Sequence, residues 1–397
     1  MTSSTPPCGV LAALTAAALA IPAPAGAGEA PGAPLQLDYR FSAYREGRLG
    51  AGRLAAGSGE RYHVDSHLLR AAKTLDGTTE LAAELAIETM GGASPWFVTP
   101  GADGRPLQVM SGASISERRQ AVKLGGTHRL GEASIGVTAS YSHERDYRSA
   151  GIGVEGSWSF NQQLDTLSAG LAYTDNRLSP TEGGSARFPG RIERASSHEF
   201  TGVIGYARVL DAHTQVQASL SYSRLGGHLS DPYKLAYVGG ALLADQRPDG
   251  RQELAWLTRL RRHVPAWGAT LHLDYRYFSN DWRVRSHTVD AAWYQPLPQG
   301  WQVVPRMRWY SQSQAFFYAP YYQGARADHF SSSDYRLSPY GALSLSLEAS
   351  RQIDDWTVRL RYETYRSGRR FALRRVDMEH PGLVDFQVLS IAVGKPF

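Results

Sequence analysis

The sequence predicts an all-β transmembrane barrel of about sixteen antiparallel strands. Three observations predict it. Apolar and polar residues alternate with a period of two, again and again along the chain. The repeats are joined in turn by tight turns and by long loops. Aromatic residues gather at strand ends. Thr214–Ser223 shows the repeat plainly: Val216, Ala218, Leu220 and Tyr222 alternate with Gln215, Gln217, Ser219, Ser221 and Ser223. Successive side chains of a strand point to opposite faces, so one face is greasy and the other wet. One such strand suits a soluble sandwich; about sixteen, with short and long connections alternating, suit a barrel with lipid outside.

Composition agrees. Of 397 residues, 42% are hydrophobic and 20% charged, with 40 glycines and 21 tyrosines. No apolar run long enough for a helical span occurs beyond the N-terminus. The net charge of +5 is carried almost wholly by arginine, with lysine only at Lys73, Lys123, Lys234 and Lys395. These arginines are interspersed with Asp and Glu, so no nucleic-acid patch is expected. Residues 1–27 read as a signal peptide. Val10–Ile21 forms its apolar core and Ala25-Gly26-Ala27 its cleavage site, although the first nine residues carry no Lys or Arg. Residues 28–397 are then the barrel domain, exported to the outer membrane. The only cysteine, Cys8, precedes the apolar core, so the mature chain is expected to hold no disulfide and no Cys-based metal site.

The strands follow in order. After the leader Ala27–Pro34, Leu35–Glu46 places Leu35, Leu37, Tyr39 and Phe41 on one face. Tyr62–Ala71 returns with Tyr62, Val64 and Leu68 opposed to His63, Asp65 and His67, which are read as the wet inner side. Thr79–Thr89 sets Leu81, Leu85 and Ile87 outward and Glu80, Glu84 and Glu88 inward. Beyond the loop Met90–Arg118 come Arg119–Leu130, Ala133–His143, Ser149–Phe160 and Asp165–Asn176. Ser196–Leu210 and Thr214–Ser223 follow the loop Arg177–Ala195. Past the loop Arg224–Arg251, Gln252–His263 pairs with Gly268–Phe278, and Val284–Gln295 with Trp301–Gln312. The aromatic loop Ser313–Asp334 leads to Leu337–Gln352 and Trp356–Tyr365, and Leu383–Phe397 closes the chain after Arg366–Gly382. An even strand count puts both termini on the periplasmic side, with the long loops outside.

Aromatic placement is an independent test. Tyr141, Tyr173, Tyr222, Tyr277 and Tyr365 fall at outer strand ends, whereas Phe160, Trp267, Trp301 and Trp356 fall beside short turns. Two such girdles mark two membrane interfaces. The terminal Phe397 shares a face with Val393, Ile391 and Leu389 and resembles an insertion signal for barrel-assembly machinery. Lys395 departs from that pattern by a charge that can snorkel.

Several loop motifs carry a family resemblance. They are Gly91-Gly92-Ala93-Ser94-Pro95, then Ser230-Asp231-Pro232-Tyr233-Lys234, then Arg247-Pro248 followed by Arg251. With the signal peptide and the terminal Phe, they resemble the Gram-negative family of domain of unknown function 3570, from about Leu35 to Phe397. The resemblance implies location and fold, and brings no activity or catalytic residue.

Candidate chemistry is sparse. His63, Asp65 and His67 share one strand face, but alternate residues lie about 7 Å apart and cannot alone close around one ion. Ser142-His143-Glu144 has hydrolase residue types, yet adjacent strand residues face opposite ways. Asp231-Pro232 sets a turn or a docking loop. No nucleotide, haem or zinc motif appears, so no cofactor is expected. No plug-like segment precedes the first strand, so an energy-coupled transporter is not expected.

The inner wall says more. Glu80, Glu84, Glu88, Glu155 and Glu199 fall inward on early strands; Arg259, Arg261, Arg276, Arg306, Arg308, Arg359 and Arg361 fall inward on later ones. A charge facing lipid near mid-membrane costs about 2–4 kcal/mol, so these belong inside. The two walls either pair and plug the interior or border an aqueous lumen with a transverse field. The expected function is a non-enzymatic, porin-like channel for small polar or anionic solutes. The alternative is a closed scaffold that docks a periplasmic or extracellular protein; an outer-membrane hydrolase is the third class. Expected contacts are outer-membrane lipid and lipopolysaccharide. The third outer connection, Glu144–Arg148, is too short to constrict the lumen, which leaves Met90–Arg118 or Arg224–Arg251 for that task.

Overall fold

The computed structural model describes residues 35–111, 115–188 and 190–397. The signal-peptide segment expected from the sequence lies outside them. Strands are numbered in chain order. The barrel consists of β1 (Gln36–Glu46), β3 (His63–Thr74), β4 (Thr79–Gly92), β7 (Ile115–Leu130), β8 (Ala133–His143), β9 (Tyr147–Phe160), β10 (Asp165–Leu178) and β11 (Ala195–Asp211). It continues through β12 (Thr214–Gly227), β15 (Gly250–Val264), β16 (Ala269–Asn280), β17 (Arg285–Leu297), β18 (Trp301–Gln312), β19 (Tyr340–Ile353), β20 (Trp356–Gly368) and β21 (Phe386–Pro396). Five short strands lie in loops: β2 (Leu54–Ala56), β5 (Pro95–Pro100), β6 (Pro106–Met110), β13 (Leu235–Val238) and β14 (Ala241–Ala244).

Each barrel strand pairs with the next barrel strand in sequence, and β1 closes on β21 from Gln36↔Pro396 to Glu46↔Phe386. Sixteen strands therefore form a closed antiparallel wall with no free edge, the architecture of an outer-membrane β-barrel. Several strands run past the expected ends on the loop side, β12 to Gly227 and β20 to Gly368, whereas β19 and β21 begin later, at Tyr340 and Phe386.

Alternation decides which face each residue takes. Leu81, Leu85, Val137, Ile152, Leu171 and Leu347 are all exposed on the outer side. So continuous an exposed apolar belt calls for lipid, not water. Tyr141, Tyr173 and Tyr222 stand exposed toward the long-loop end, and Trp267, Trp301 and Trp356 beside the short turns. Lys395 lies 5.2 Å from the Trp356 ring centre and 4.9 Å from that of Phe397, a cation held over two interfacial aromatics.

Two expectations are corrected. Tyr365 points inward, stacked on Phe386 at 4.4 Å between ring centres, because Leu360 and Tyr362 hold the outward parity of β20. His63, Asp65 and His67 face outward, because β3 pairs Phe41 with His67 and Tyr39 with the exposed Leu69. Asp65 bonds Arg45 at 2.7 Å and His67 meets the Tyr39 hydroxyl at 2.8 Å. They decorate the outer wall near its rim and do not line the interior.

Leu347 is 54% exposed midway along β19, and its neighbour Ser346 faces inward between Arg306 and Glu363. Leu347→Arg should therefore cost about 2–4 kcal/mol of stability in lipid vesicles, and Ser346→Arg about 1 kcal/mol or less, as read by reversible urea titration.

Candidate functional site

Inside the wall, charge is arranged unevenly. From β8 to β12 the inward residues are mostly small, among them Ser134, Gly136, Gly151, Gly153, Ser168 and Ser219. On β15, β16, β18 and β20 they include large charged residues, while β17 and β19 keep mostly small ones such as Ala292 and Ser346. Arg259 and Arg261 both reach Asp274, the first at 3.5 Å. Arg306 lies 3.3 Å from Asp290, and Arg361 lies 2.6 Å from Glu363. Arg276 sits 5.1 Å from the Phe278 ring centre, and Arg276, Arg308 and Arg359 form no ion pair within 4.0 Å among the described residues. On the acidic side, Glu88 meets Arg119 at 3.0 Å and Glu80 meets Arg70 at 3.9 Å, while Glu84 lies across the ladder from Arg70 and Lys123. Glu155 and Glu199 also face inward, the latter accepting from Thr201 at 3.0 Å. The expected pair of opposed walls is thus revised: most arginines are neutralised by acids on their own or an adjacent strand.

The pairs on β17–β20 are partly exposed. The side chains of Arg306 and Asp290 are 35% and 21% exposed, and those of Arg361 and Glu363 are 34% and 21% exposed. They are less buried than the Arg61–Glu46 pair at the outer mouth, which is 2% exposed on each side.

The outer mouth is different. Loops from all round the rim meet there, and Ser230–Lys234 lies at their junction. Ser230 Oγ accepts from the Arg247 amide at 2.9 Å. The Asp231 carboxylate caps its own turn by accepting from the Tyr233 amide at 3.1 Å and also accepts from Arg336 at 3.0 Å. Tyr233 donates its hydroxyl to Asp146 and accepts from the Thr181 amide at 2.9 Å, with Arg191 over its ring at 4.8 Å. Lys234 Nζ donates to the Pro95 carbonyl at 3.2 Å. Pro232 supplies the turn's fixed φ. One pentapeptide so ties four other loops together. The turn-or-docking alternative resolves as both, with the docking partner being the chain's own loops.

The other motifs join the same assembly. Gly92 has φ +120°, and a Cβ there would lie 2.3 Å from the Arg61 carbonyl, so only glycine fits. Ala93 is buried with Leu49 and Met110, and Ser94 exchanges hydrogen bonds with Ser111. Arg247, ahead of Pro248, bonds Asp245 at 2.7 Å and Asp334 at 2.9 Å, and both carboxylates are fully buried. Arg336 Nε completes the chain to Asp334 at 2.8 Å. Nearby, Arg61 and Glu46 pair at 2.7 Å with 2% exposure each. Trp282 and Val284 of the β16–β17 connection pack with Phe317, Tyr318 and Leu337 of the β18–β19 loop in an apolar cluster.

β4 and β7 stand almost opposite β18 and β19 in the ring, yet the loops they carry meet through β5, β13 and Ser333, whose hydroxyl donates to the Leu235 carbonyl at 3.0 Å. The assembly therefore crosses the mouth as a cap. Both loops expected to constrict the lumen take part. The third connection does not reach inward; it offers Asp146 as the anchor for Tyr233. Beside it, burial first and the Asp146 charge second push the Glu144 carboxyl up to about 7. Ser142 faces inward and accepts from Arg119 at 3.0 Å, whereas His143 faces outward, so the two do not meet.

Strand periodicity could not find Asp146, Asp245, Asp334, Arg336 or His380, because they sit in loops and their partners lie in other loops. Burial pushes the Asp334 carboxyl up, but Arg336, Lys234 and Arg247 outweigh it and hold it well below the usual range. His380 donates from Nε2 to the Ser333 carbonyl at 2.8 Å and accepts at Nδ1 from the Gly382 amide at 2.8 Å, which fixes a neutral ring. Burial pushes its pKa down to about 4.

A concavity of about 530 Å³ lies elsewhere, on the lipid side of β16–β20, lined by Ala291, Trp293, Pro305, Leu345 and Tyr362. Its apolar lining and outward position make it no solute site. Among the described residues, no group of three His, Cys, Asp or Glu side chains is placed to hold a metal ion.

The family model described as "Protein of unknown function (DUF3570)" matches residues 11–375. No curated protein matches the chain. Among solved structures, a bacterial polysaccharide outer membrane secretin is similar at TM-score 0.48 and 10% identity, covering 92% of this chain and 98% of that one. CdiB from Acinetobacter baumannii is similar at TM-score 0.49 and 7% identity over 91% of this chain and 60% of that one. OccK9 (OpdG) from Pseudomonas aeruginosa is similar at TM-score 0.41 and 13% identity over 94% of this chain and all of that one, 100%.

Two outcomes follow from the cap. Arg247→Ala leaves Asp245 and Asp334 buried without that partner and should destabilise the cap by about 3–5 kcal/mol. Hydrogen exchange should show the loops opening while the barrel strands stay protected. The His380 pKa lies below its ordinary 6.5, so its contribution is complete above pH 6.5 and is lost as pH falls toward 4. Near-UV circular dichroism of the cap aromatics should decline over that interval, and less so in His380→Gln.

Proposed function

We propose, for a chain that belongs to the DUF3570 family, that it is an outer-membrane channel for small polar solutes whose outer mouth is held shut by interlocked loops. The observation that carries this reading is the contrast in wetting between two sets of similar ion pairs. The Arg–Asp and Arg–Glu pairs inside β15–β20 are a fifth to a third exposed, as at Arg306–Asp290, whereas Arg247, Asp245 and Asp334 in the cap are 9%, 0% and 0% exposed. On this reading water enters the barrel and the cap excludes it. The small residues of β8–β12 leave room opposite the arginines of β15–β20. Arg276, Arg308 and Arg359, each without an ion pair among the described residues, give the lumen a modest preference for anions.

Transport through such a lumen needs the cap to loosen. Its bonds are spread over loops on separate strands, so a partner or solute that engages one loop bears on the rest. A second reading, a closed scaffold, draws on the same buried network: if the cap never opens, its outer surface is the functional face.

Planar-bilayer recording separates the two. The native protein should show small or rare conductance steps, and Arg247→Ala frequent, larger ones with a reversal potential favouring anions. A silent Arg247→Ala barrel, shown folded by heat-modifiable gel mobility, would move the proposal to the scaffold. Steps with a cation preference would remove the role given to the three arginines.

A further inference from the structure

Three arginines stand on the outside of the wall, just beyond the lipid belt, with a fourth in the turn beside them. Arg148 on β9 and Arg177 on β10 are directly opposed in the ladder. Both keep the outward parity of their strands, shared with Ile152 and Val154 on β9 and with Leu171 and Tyr173 on β10. His143 on β8 is opposed to Arg148 on one side and to Gln120 on the other. Arg118 lies two residues farther along β7 on the same face, and Arg145 occupies the turn between β8 and β9. All four arginines are exposed. Neighbouring strands are about 4.8 Å apart, so β7 to β10 spans roughly 14 Å.

This arrangement is unfavourable by itself. Like charges directly opposed across a strand pair repel. Among the described residues, the sole acidic side chain in ion-pair contact with any of the four is Asp175, 3.3 Å from Arg177. The depth is informative too. Arg148 is two residues beyond Ala150, the partner of Tyr141, and Arg177 is four residues beyond Tyr173. At about 3.4 Å per residue, the guanidinium groups lie roughly 7–14 Å past the tyrosine girdle, at headgroup level. Guanidinium forks match phosphate oxygens in pairs.

We propose that Arg118, Arg145, Arg148 and Arg177 form a binding patch for the phosphate groups of a lipopolysaccharide-type glycolipid in the outer leaflet. This rests on reading the barrel as an outer-membrane protein with its long loops outside. The bound phosphates relieve the repulsion between Arg148 and Arg177 and anchor the β7–β10 sector beside the loop that holds Asp146.

The test titrates the purified protein in detergent with bis-phosphorylated lipid A. Arg118→Gln/Arg148→Gln/Arg177→Gln should bind at least about tenfold more weakly than the native protein. Arg224→Gln/Arg285→Gln, outward arginines elsewhere on the rim, should stay within about twofold. Lipid A stripped of phosphate should bind the native protein no better than lipid A binds the triple variant, and millimolar inorganic phosphate should fail to compete. Equal binding by the triple variant would overturn the proposal, as would full competition by inorganic phosphate, which would mark a free-anion site. Heat-modifiable mobility monitors folding. If the Gln variant does not fold, the corresponding triple Lys variant, which keeps charge and loses the fork, should bind several-fold more weakly, and unchanged binding would count against the patch. Insertion into phosphatidylcholine vesicles tests the underlying reading separately. A barrel that fails to insert defeats the membrane assignment, whereas one that inserts but shows no dependence on the arginines defeats the patch alone.

Discussion

Everything in this molecule depends on satisfying backbone hydrogen bonds where no water is available. In hydrocarbon an unpaired N–H or C=O costs several kcal/mol, so a spanning sheet must close on itself. Closure here is the β1–β21 ladder, in register from Gln36↔Pro396 to Glu46↔Phe386. Once the wall is closed, side-chain alternation fixes two environments. Lipid selects Leu, Ile and aromatic residues on one face, and the enclosed space takes serine, glycine and ion pairs on the other. The proline within the central span of β18, Pro305, coincides with a gap in pairing between Ala292↔Arg306 and Gln295↔Val303, as expected of a residue without an N–H to donate.

The same chemistry is then used in two ways. Inside β15–β20, Arg–Asp pairs are partly exposed, where each pair contributes modestly. In the cap, Arg247 and Arg336 join carboxylates that are removed from water, where breaking a pair leaves a costly buried charge. Such a network specifies one loop arrangement more than it adds net stability. Tyr233 extends the logic: its ring carries Arg191, and its hydroxyl meets loops on both sides. The cap is thereby coupled to the third and fourth outer connections as well as to the fifth and seventh.

Much of this was legible in the sequence because period-two alternation is local. It located all sixteen strands of the wall and the inward faces of β4, β15 and β18. It failed where lipid no longer selects. Near the rim of β3, His63, Asp65 and His67 look like a lumen face because Val64 and Leu68 are apolar; Val64 instead packs inside with Tyr62 and Met90, while His67 stands outside between Phe41 and Ile87. Tyr365 misled for a related reason, since an aromatic near the outer end serves equally well stacked inside on Phe386. The cap itself was beyond reach. Its motif residues stood out, but Asp146 pairs with Tyr233 across 87 positions, and Arg247 with Asp334 across 87 positions, and no periodicity marks such partners.

The proposed channel requires a lumen that is wet inside and sealed at one mouth, and so accessible from one side only. Ser346 faces that lumen beside Arg306 and Glu363, and Cys8 is the sole native cysteine. The most direct measurement is the labelling rate of Ser346→Cys by a membrane-impermeant thiol reagent, added from either face of oriented vesicles, in a chain lacking Cys8. Labelling should be rapid from the short-turn face and slow from the loop face. Equal rates from both faces would contradict the seal, and no labelling from either would contradict the wetted lumen.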